Sequence, residues 1–173
     1  MKALITGASS GMGRDMAKIL SQKGYDLILV ARDEKKLEEV KKQLKTETKI
    51  VVMDISKEEN CKKIYEENKD IDILINNAGF GDCGHFEETS LDKDIQMIHT
   101  NIIAYHILTK LYLKEMIKKD SGKILNVASI AGFMPGPLMT TYYSTKNYNS
   151  YWSFLYYTFL TVLLQKYYSN YFC

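Results

Sequence analysis

A glycine-rich turn near the start of the chain constrains the fold more than any other feature of the sequence. The apolar run Ala3-Leu4-Ile5 leads into Thr6-Gly7-Ala8-Ser9-Ser10-Gly11-Met12-Gly13, and an amphipathic stretch follows to about Lys23. We interpret these pieces as a strand, a turn and a helix. Glycine lets the backbone approach a ligand closely, and the N–H groups that begin a helix bind anions such as pyrophosphate. A plain turn is the alternative, but the flanking strand and helix favour a nucleotide site.

Predicted strands and helices alternate after this turn. Further strands are expected at 26–30, 50–53, 71–75 and 122–127, and helices at 33–48, at 57–68 with Ser56 as N-cap, after Ser90, and at 101–117. Such alternation indicates a parallel sheet with helices on both faces, and right-handed crossovers bring all strand ends to one edge. The sequence therefore predicts an α/β, Rossmann-like doubly wound sheet with strand order 3-2-1-4-5.

Arg32 stands where the second predicted strand ends. An acidic residue near this place would hold the ribose hydroxyls of NAD, whereas a basic residue accommodates the extra phosphate of NADP. Arg32 therefore favours NADP(H), the alternative being a solvated arginine at the start of a helix.

A tyrosine and a lysine four residues apart, Tyr142 and Lys146, form the second chemical feature. On a helix they share one face. A free tyrosine titrates near pH ~10, and a neighbouring ammonium favours the phenolate. The pair is suited to moving a proton to or from a substrate oxygen. The alternative is a surface tyrosine beside a solvated lysine, and the other motifs of the sequence argue against it.

Taken together, these motifs resemble the short-chain dehydrogenase/reductase family. The matching pieces are Thr6-Gly7-x-x-x-Gly11-x-Gly13, Asp54, Asn76-Asn77-Ala78-Gly79, Asn101, Ser129 and Tyr142-x-x-x-Lys146. Ser129 stands thirteen residues before Tyr142, as the family pattern requires. The resemblance implies an oxidoreductase that uses NADP(H) in preference to NAD(H) and interconverts a small-molecule carbonyl and a secondary alcohol.

The resemblance also implies residue roles. Tyr142 is the general acid/base, Lys146 favours its deprotonated form and holds the nicotinamide ribose, and Ser129 hydrogen-bonds the substrate oxygen. Asn101 holds a water that completes a proton relay through Lys146. No metal is implied. The implied cofactor-binding residues are Thr6, Gly7, Ser9, Ser10, Gly11, Met12, Gly13, Arg32, Asp54, Ile55, Asn77, Ala78, Gly79, Tyr142 and Lys146.

The sequence changes character after Lys146. Residues 147–173 contain no acidic residue, one lysine and 11 aromatic residues, against nine aromatic residues in the preceding 146. We expect an incomplete dinucleotide-binding and catalytic domain at 1–146 that lacks the family's last strands, and an aromatic tail at 147–173 that continues the last helix. A frameshift is the simplest account of the tail. Poor turnover is the resulting expectation, and a non-catalytic nucleotide-binding remnant is the alternative.

Charge and cysteine content narrow the possible partners. The chain has 23 basic and 21 acidic residues, so it offers no electrostatic case for nucleic acid. Its three scattered cysteines are typical of reduced thiols in the cytoplasm, and no secretion signal precedes the first strand. The apolar run 151–164 is shorter than the ~20 residues of a membrane span. We expect a cytoplasmic homo-oligomer, because the apolar tail favours self-association.

Overall fold

The sheet consists of five parallel strands. The computed structural model describes the backbone of residues 1–155 and the side chains of residues 1–151. The strands are β1 (Lys2–Thr6), β2 (Asp26–Ala31), β3 (Thr48–Val52), β4 (Ile73–Asn76) and β5 (Lys123–Asn126). Their spatial order is β3-β2-β1-β4-β5, which confirms the predicted order. The central strand, β1, pairs with β2 on one side and with β4 on the other.

Helices cover both faces of this sheet. They are α1 (Gly11–Gln22), α2 (Glu34–Lys41), α3 (Glu58–Glu67), α4 (Leu91–Ile98), α5 (Ala104–Lys118) and α6 (Thr140–Leu155). On one face Leu4 of β1 packs in a core cluster with α3 and α5; on the other, Ile5 packs with α1 and α2. Because β1 is buried on both faces, its central residues Ala3, Leu4 and Ile5 form a continuous apolar run rather than an alternating pattern.

Two helix boundaries differ from the sequence predictions. The helix predicted at 33–48 ends at Lys41, and the Oγ of Ser21 in α1 accepts hydrogen bonds from the N–H groups of Lys45 and Thr46, at 2.8 and 3.3 Å. The prediction of Ser56 as an N-cap was wrong. Its N–H donates to the Asp54 carboxylate at 3.0 Å, and α3 begins only at Glu58.

The helix predicted after Ser90 leads directly into the longer helix predicted at 101–117. A π-helical turn, His99–Ile103, joins α4 directly to α5. Ser90 precedes α4 as predicted, but its side chain makes no capping hydrogen bond.

The last described helix, α6, crosses the predicted domain boundary at 146. It continues to Leu155, and Asn149 and Ser150 are buried. The rest of the predicted tail, 156–173, lies outside the described residues. No helix within residues 1–155 has the length and apolar character needed to cross a bilayer.

Candidate active site

The glycine turn connects β1 to α1 in a conformation that excludes larger residues. Gly7 has a φ of +67°, in the left-handed region, and its N–H donates to the carbonyl of Val30 at 2.8 Å. A Cβ added to Gly13 would lie 2.3 Å from the Gly7 carbonyl oxygen. The start of α1 is therefore packed against the turn, with its first N–H groups directed toward the edge of the sheet where the strands end.

Asn77 ties this turn to the loop that follows β4. Its amide Nδ2 donates to the carbonyls of Thr6 and Gly7, at 3.0 and 3.2 Å. In the opposite direction, the Thr6 hydroxyl accepts the N–H groups of Asn77 and Ala78, at 3.0 and 3.1 Å. Four hydrogen bonds thus fix the two loops relative to each other.

A cleft of about 510 Å³ opens where these strands end. It brings together most of the predicted cofactor-binding residues, namely Gly7, Ser9, Ser10, Gly11, Met12, Arg32, Asp54, Ile55, Asn77, Ala78 and Gly79. Thr6 and Gly13 are buried behind its wall. Lys36, Phe80 and Thr100 also line the cleft and were missed. Open backbone N–H groups, amides and cations along one cleft fit a phosphorylated dinucleotide.

The end of the cleft beside β2 is basic. Arg32 is exposed and forms no ion pair within the described residues. Lys36 follows one helical turn later, with its Nζ 3.5 Å from the Asp33 carboxylate. Asp33 caps α2 by accepting the Lys36 N–H at 3.1 Å, and this hydrogen bond lowers the pKa of the Asp33 carboxyl. Two cations therefore stand beside one carboxylate at the start of α2, and Asp54, after β3, is the other carboxylate that lines the cleft.

Ser129, Tyr142 and Lys146 come from the segment after β5 and from α6. The Oγ of Ser129 accepts the Ala131 N–H at 3.2 Å, which caps a short 3-10 helix. Tyr142 is half-buried and its ring centroid lies 5.9 Å from the Lys146 Nζ. Among the described contacts, no hydrogen bond joins the Tyr142 hydroxyl to Ser129 or to Lys146.

Lys146 is a buried cation. Only 5% of the residue is exposed, and its Nζ donates to the Val127 carbonyl at 3.3 Å. Burial lowers the pKa of this ammonium.

The loop after β4 makes the cleft continuous with these side chains. A Cβ on Gly79, which lines the cleft, would lie 3.4 Å from the Lys146 Nζ. A Cβ on Gly81 would lie 2.9 Å from the Tyr142 ring. The loop thus passes against both members of the tyrosine–lysine pair, and its small residues permit that approach.

Asn101 braces this loop against α6 from within the π-helical turn. Its Oδ1 accepts the Phe80 N–H at 3.2 Å, and its Nδ2 donates to the Phe80 carbonyl and the Thr145 hydroxyl, at 2.9 and 3.0 Å. Its own carbonyl accepts the Asn149 amide at 2.7 Å. The relay role that the resemblance implies for Asn101 stays a prediction. Thr145 and Asn149 were missed, and only the position of Thr145 inside the tyrosine–lysine motif offered a signal.

The strand order β3-β2-β1-β4-β5 and the glycine turn at the edge of the sheet define a Rossmann-like fold. The chain belongs to the short-chain dehydrogenase family, whose model matches residues 1–149.

Among its curated relatives is the very-long-chain 3-oxoacyl-CoA reductase of Phaeosphaeria nodorum. The two are 37% identical over 164 residues, which cover 87% of this chain and 48% of the relative. An uncharacterized oxidoreductase of Staphylococcus epidermidis is 35% identical over 148 residues, which cover 83% of this chain and 64% of the relative. The chain therefore spans about half to two thirds of the length of these relatives.

Solved structures give the same family. A short-chain dehydrogenase from Sphingobium yanoikuyae in complex with NADPH has a TM-score of 0.82 and 30% identity, covering 88% of this chain and 62% of that one. A bulky-bulky ketone specific alcohol dehydrogenase from Comamonas testosteroni also has a TM-score of 0.82 and 30% identity, covering 88% and 64% of the two chains.

Proposed function

We propose that this chain is an NADP(H)-preferring oxidoreductase that interconverts a carbonyl and a secondary alcohol of a small molecule. The observation that carries the proposal is the continuity between the nucleotide cleft and the Tyr142–Lys146 pair through the loop at Gly79 and Gly81. Family membership supports the reaction class, and the NADPH complex of a related structure supports a nicotinamide cofactor.

The residues of the cleft would divide the cofactor among them. The N–H groups at the start of α1 suit the pyrophosphate, and Arg32 with Lys36 suits the additional phosphate of NADP. Asp54 and Ile55 would border the adenine. The loop at Asn77 would border the remainder of the cofactor, toward Lys146.

Tyr142, Ser129 and Lys146 would handle the proton and the substrate oxygen. The bound cofactor supplies or accepts the hydride. In reduction the Tyr142 hydroxyl donates a proton to the substrate oxygen, and the Ser129 hydroxyl stabilises its developing charge. The Lys146 ammonium favours the phenolate that remains after donation.

The test of this assignment compares two neighbouring tyrosines. Tyr142→Phe removes the proposed proton donor, so we expect NADPH-dependent reduction of a broad carbonyl panel to fall by ~10²–10⁴-fold. Tyr143→Phe removes a hydroxyl from the adjacent ring, 6.2 Å away between centroids, and should keep the rate within about 3-fold. Equal losses in the two variants would exclude Tyr142 as the donor.

The cofactor preference is tested by fluorescence titration with NADPH and NADH. A charge-assisted contact between Arg32 and a phosphate contributes ~1.5–3 kcal/mol, which corresponds to about 10- to 150-fold tighter binding of NADPH. Arg32→Asp should reverse the preference. Equal affinities of the unmodified chain for both cofactors would remove the argument from Arg32.

Nucleotide binding with little or no turnover is the second candidate. Two observations on the described residues favour it, because both mean that the reacting groups are loosely positioned. The Tyr142 hydroxyl has no hydrogen bond, and Phe133, on the segment after Ser129, is 63% exposed. Holding the reacting groups in near-attack geometry supplies ~7–11 kcal/mol of barrier lowering. NADPH binding without measurable reduction, in the parent and in Tyr142→Phe alike, would select this candidate.

We further propose that the protein works in the cytoplasm as a homo-oligomer. Exposed apolar side chains at Leu91 and Ile117 support self-association. Light scattering tests it, and a clean monomer would contradict it.

A further inference from the structure

The single hydrogen bond of Lys146 does not explain how its charge can be buried. The ammonium is buried and donates only to the Val127 carbonyl, and within the described residues it forms no ion pair with a carboxylate. Burying a charge is unfavourable unless other groups compensate for the lost water. A further stabilising group is therefore required if Lys146 is to stay charged beside Tyr142.

Tyr105 of α5 supplies such a group. The Lys146 Nζ lies over the Tyr105 ring, 5.9 Å from its centroid, and at the same distance from the Tyr142 centroid. Both distances fall within the ~6 Å over which the face of an aromatic ring attracts a cation. The ammonium is thus flanked by two tyrosine rings, one from α5 and one from α6.

The ring of Tyr105, rather than its hydroxyl, makes this contact. Tyr105 is 2% exposed, and its hydroxyl is buried without a hydrogen-bond partner in the described structure. An unpaired buried hydroxyl is destabilising, so hydrogen bonding does not account for a tyrosine at this position. The electron-rich face turned toward Lys146 does.

We propose that Tyr105 is a positioning residue that holds the Lys146 ammonium, charged and in place, beside Tyr142. Its effect on turnover rests on the proposed function, whereas its contact with Lys146 does not. The groups that face Lys146 are Tyr105 from α5, Tyr142 from α6, the Val127 carbonyl after β5, and the uncharged Gly79 from the loop after β4.

The matched variants are Tyr105→Phe, which keeps the ring, and Tyr105→Leu, which removes it. The pKa of Lys146 is followed by NMR of ¹³Cε-labelled lysine, and its signal is assigned by its loss in Lys146→Met. Without the ring the neutral amine is favoured, so Tyr105→Leu should lower the pKa of Lys146 by about one unit, whereas Tyr105→Phe should stay within about 0.3 units of the parent. An unchanged pKa in the leucine variant would overturn the proposal and leave Tyr105 a packing residue.

Two further measurements keep the result interpretable. If Tyr105→Leu fails to fold, as judged by circular dichroism, Tyr105→Met takes its place with the same expectation. NADPH-dependent carbonyl reduction is then measured on all variants, and kcat should fall about 10-fold in Tyr105→Leu but not in Tyr105→Phe. If the parent has no activity but Tyr105→Leu still lowers the pKa of Lys146, the proposed function is wrong and the contact stands. If the parent is active but Tyr105→Leu leaves the pKa of Lys146 unchanged, only the contact is wrong.

Discussion

The cleft beside the glycine turn and the proposed catalytic side chains are held in place by different kinds of contact. In the cleft, three hydrogen bonds from Asn77 and one from Ala78 to Thr6 and Gly7 fix two loops directly to each other. Ser129, Tyr142 and Lys146 are not hydrogen-bonded to one another in the described structure: Ser129 and Lys146 each bond a backbone group, and the Tyr142 ring lies near the Lys146 Nζ. We therefore expect a substitution in the cleft to act by steric clash between the two joined loops. A substitution around Ser129, Tyr142 and Lys146 should act by loss of alignment among these side chains.

The largest expected effect is in the cleft. Gly13→Ala places a Cβ 2.3 Å from the Gly7 carbonyl oxygen and 2.6 Å from the Asn77 amide, and neither can retreat without breaking the bridge between the loops. We expect the free energy of unfolding to fall by about 3 kcal/mol or more and NADPH binding to be lost. Urea unfolding and fluorescence titration measure the two effects.

Gly24→Ala is the control for that substitution. It adds the same methyl group where no atom lies within 4 Å, although its φ of +82° makes alanine unfavourable by about 1–2 kcal/mol. NADPH binding should survive in this variant. Similar losses in both variants would show that backbone conformation, rather than the clash, governs the turn.

The next substitution tests whether carbonyl reduction can be lost while NADPH binding is kept. Asn101→Ala removes three hydrogen bonds to Phe80 and Thr145 from a buried site, so the free energy of unfolding should fall by about 2–3 kcal/mol. Because Asn101 braces the loop against α6, carbonyl reduction should fall far more than NADPH affinity. Gln43→Ala removes one exposed hydrogen bond from a side-chain amide and should change neither the rate nor the affinity. Equal losses of rate and affinity in Asn101→Ala would mean that the two regions are not independent.

A smaller effect comes from the buried charge. Burial lowers the pKa of Lys146 below its ordinary value of 10.5, so the unfolded chain binds more protons between those two values. This difference makes stability rise with pH across that window. Lys146→Met should flatten the rise and increase the free energy of unfolding at pH 7 by about 1 kcal/mol, while abolishing reduction.

The control for the charge is Lys119→Met. The pKa of Lys119 is raised by its hydrogen bond with Asp70, so this variant should leave the rise in stability unflattened. Urea unfolding at a series of pH values measures both variants. If Lys146→Met shows the same pH slope as the parent, burial of Lys146 is not a stability term.

The smallest effect is at the basic end of the cleft. Lys36→Ala removes an exposed cation that lines the cleft, and exposed ion pairs contribute only ~0.2–1 kcal/mol. NADPH affinity should fall about 3-fold and NADH affinity should not change. Lys35→Ala, the adjacent lysine, is not among the residues that line the cleft and should alter neither affinity. An effect on both cofactors would place Lys36 away from the additional phosphate.

The strands and the glycine turn could be predicted because each depends on a short-range pattern, an apolar run followed by glycine or an amide at the strand end. The strand order then follows from the doubly wound fold that the alternation of strands and helices indicates. The Ser56 cap could not, because the Asp54 side chain takes the Ser56 N–H. After the end of α2, the Ser21 Oγ accepts the N–H of Lys45 from 24 residues away. Hydrogen bonds of this kind, between side chains and the backbone near helix ends, are not visible in helical periodicity.

The supports of the catalytic group were still less accessible from sequence. A π-helical turn is a single turn with i→i+5 hydrogen bonds inside an α-helix, and the apolar pattern around Asn101 predicts an ordinary helix. Its bonds to Thr145 and Asn149 join residues 44 and 48 positions apart. From the sequence, Tyr105 is an ordinary core aromatic residue of a helix. Its place beside Lys146 of α6 becomes visible only in the folded structure.

The central position of β1 has a consequence for the order in which the chain folds. Lys2 lies opposite Asp26 of β2, whereas Ala3 lies opposite Ile73 of β4. The second pairing closes a loop about three times as long, at an additional entropic cost of ~1 kcal/mol. We expect β1 and β2 to associate first, also because the N-terminal segment is synthesised first. The Asn77 bridge and the rear wall of the cleft then form only when β4 docks, so nucleotide affinity should appear late in refolding.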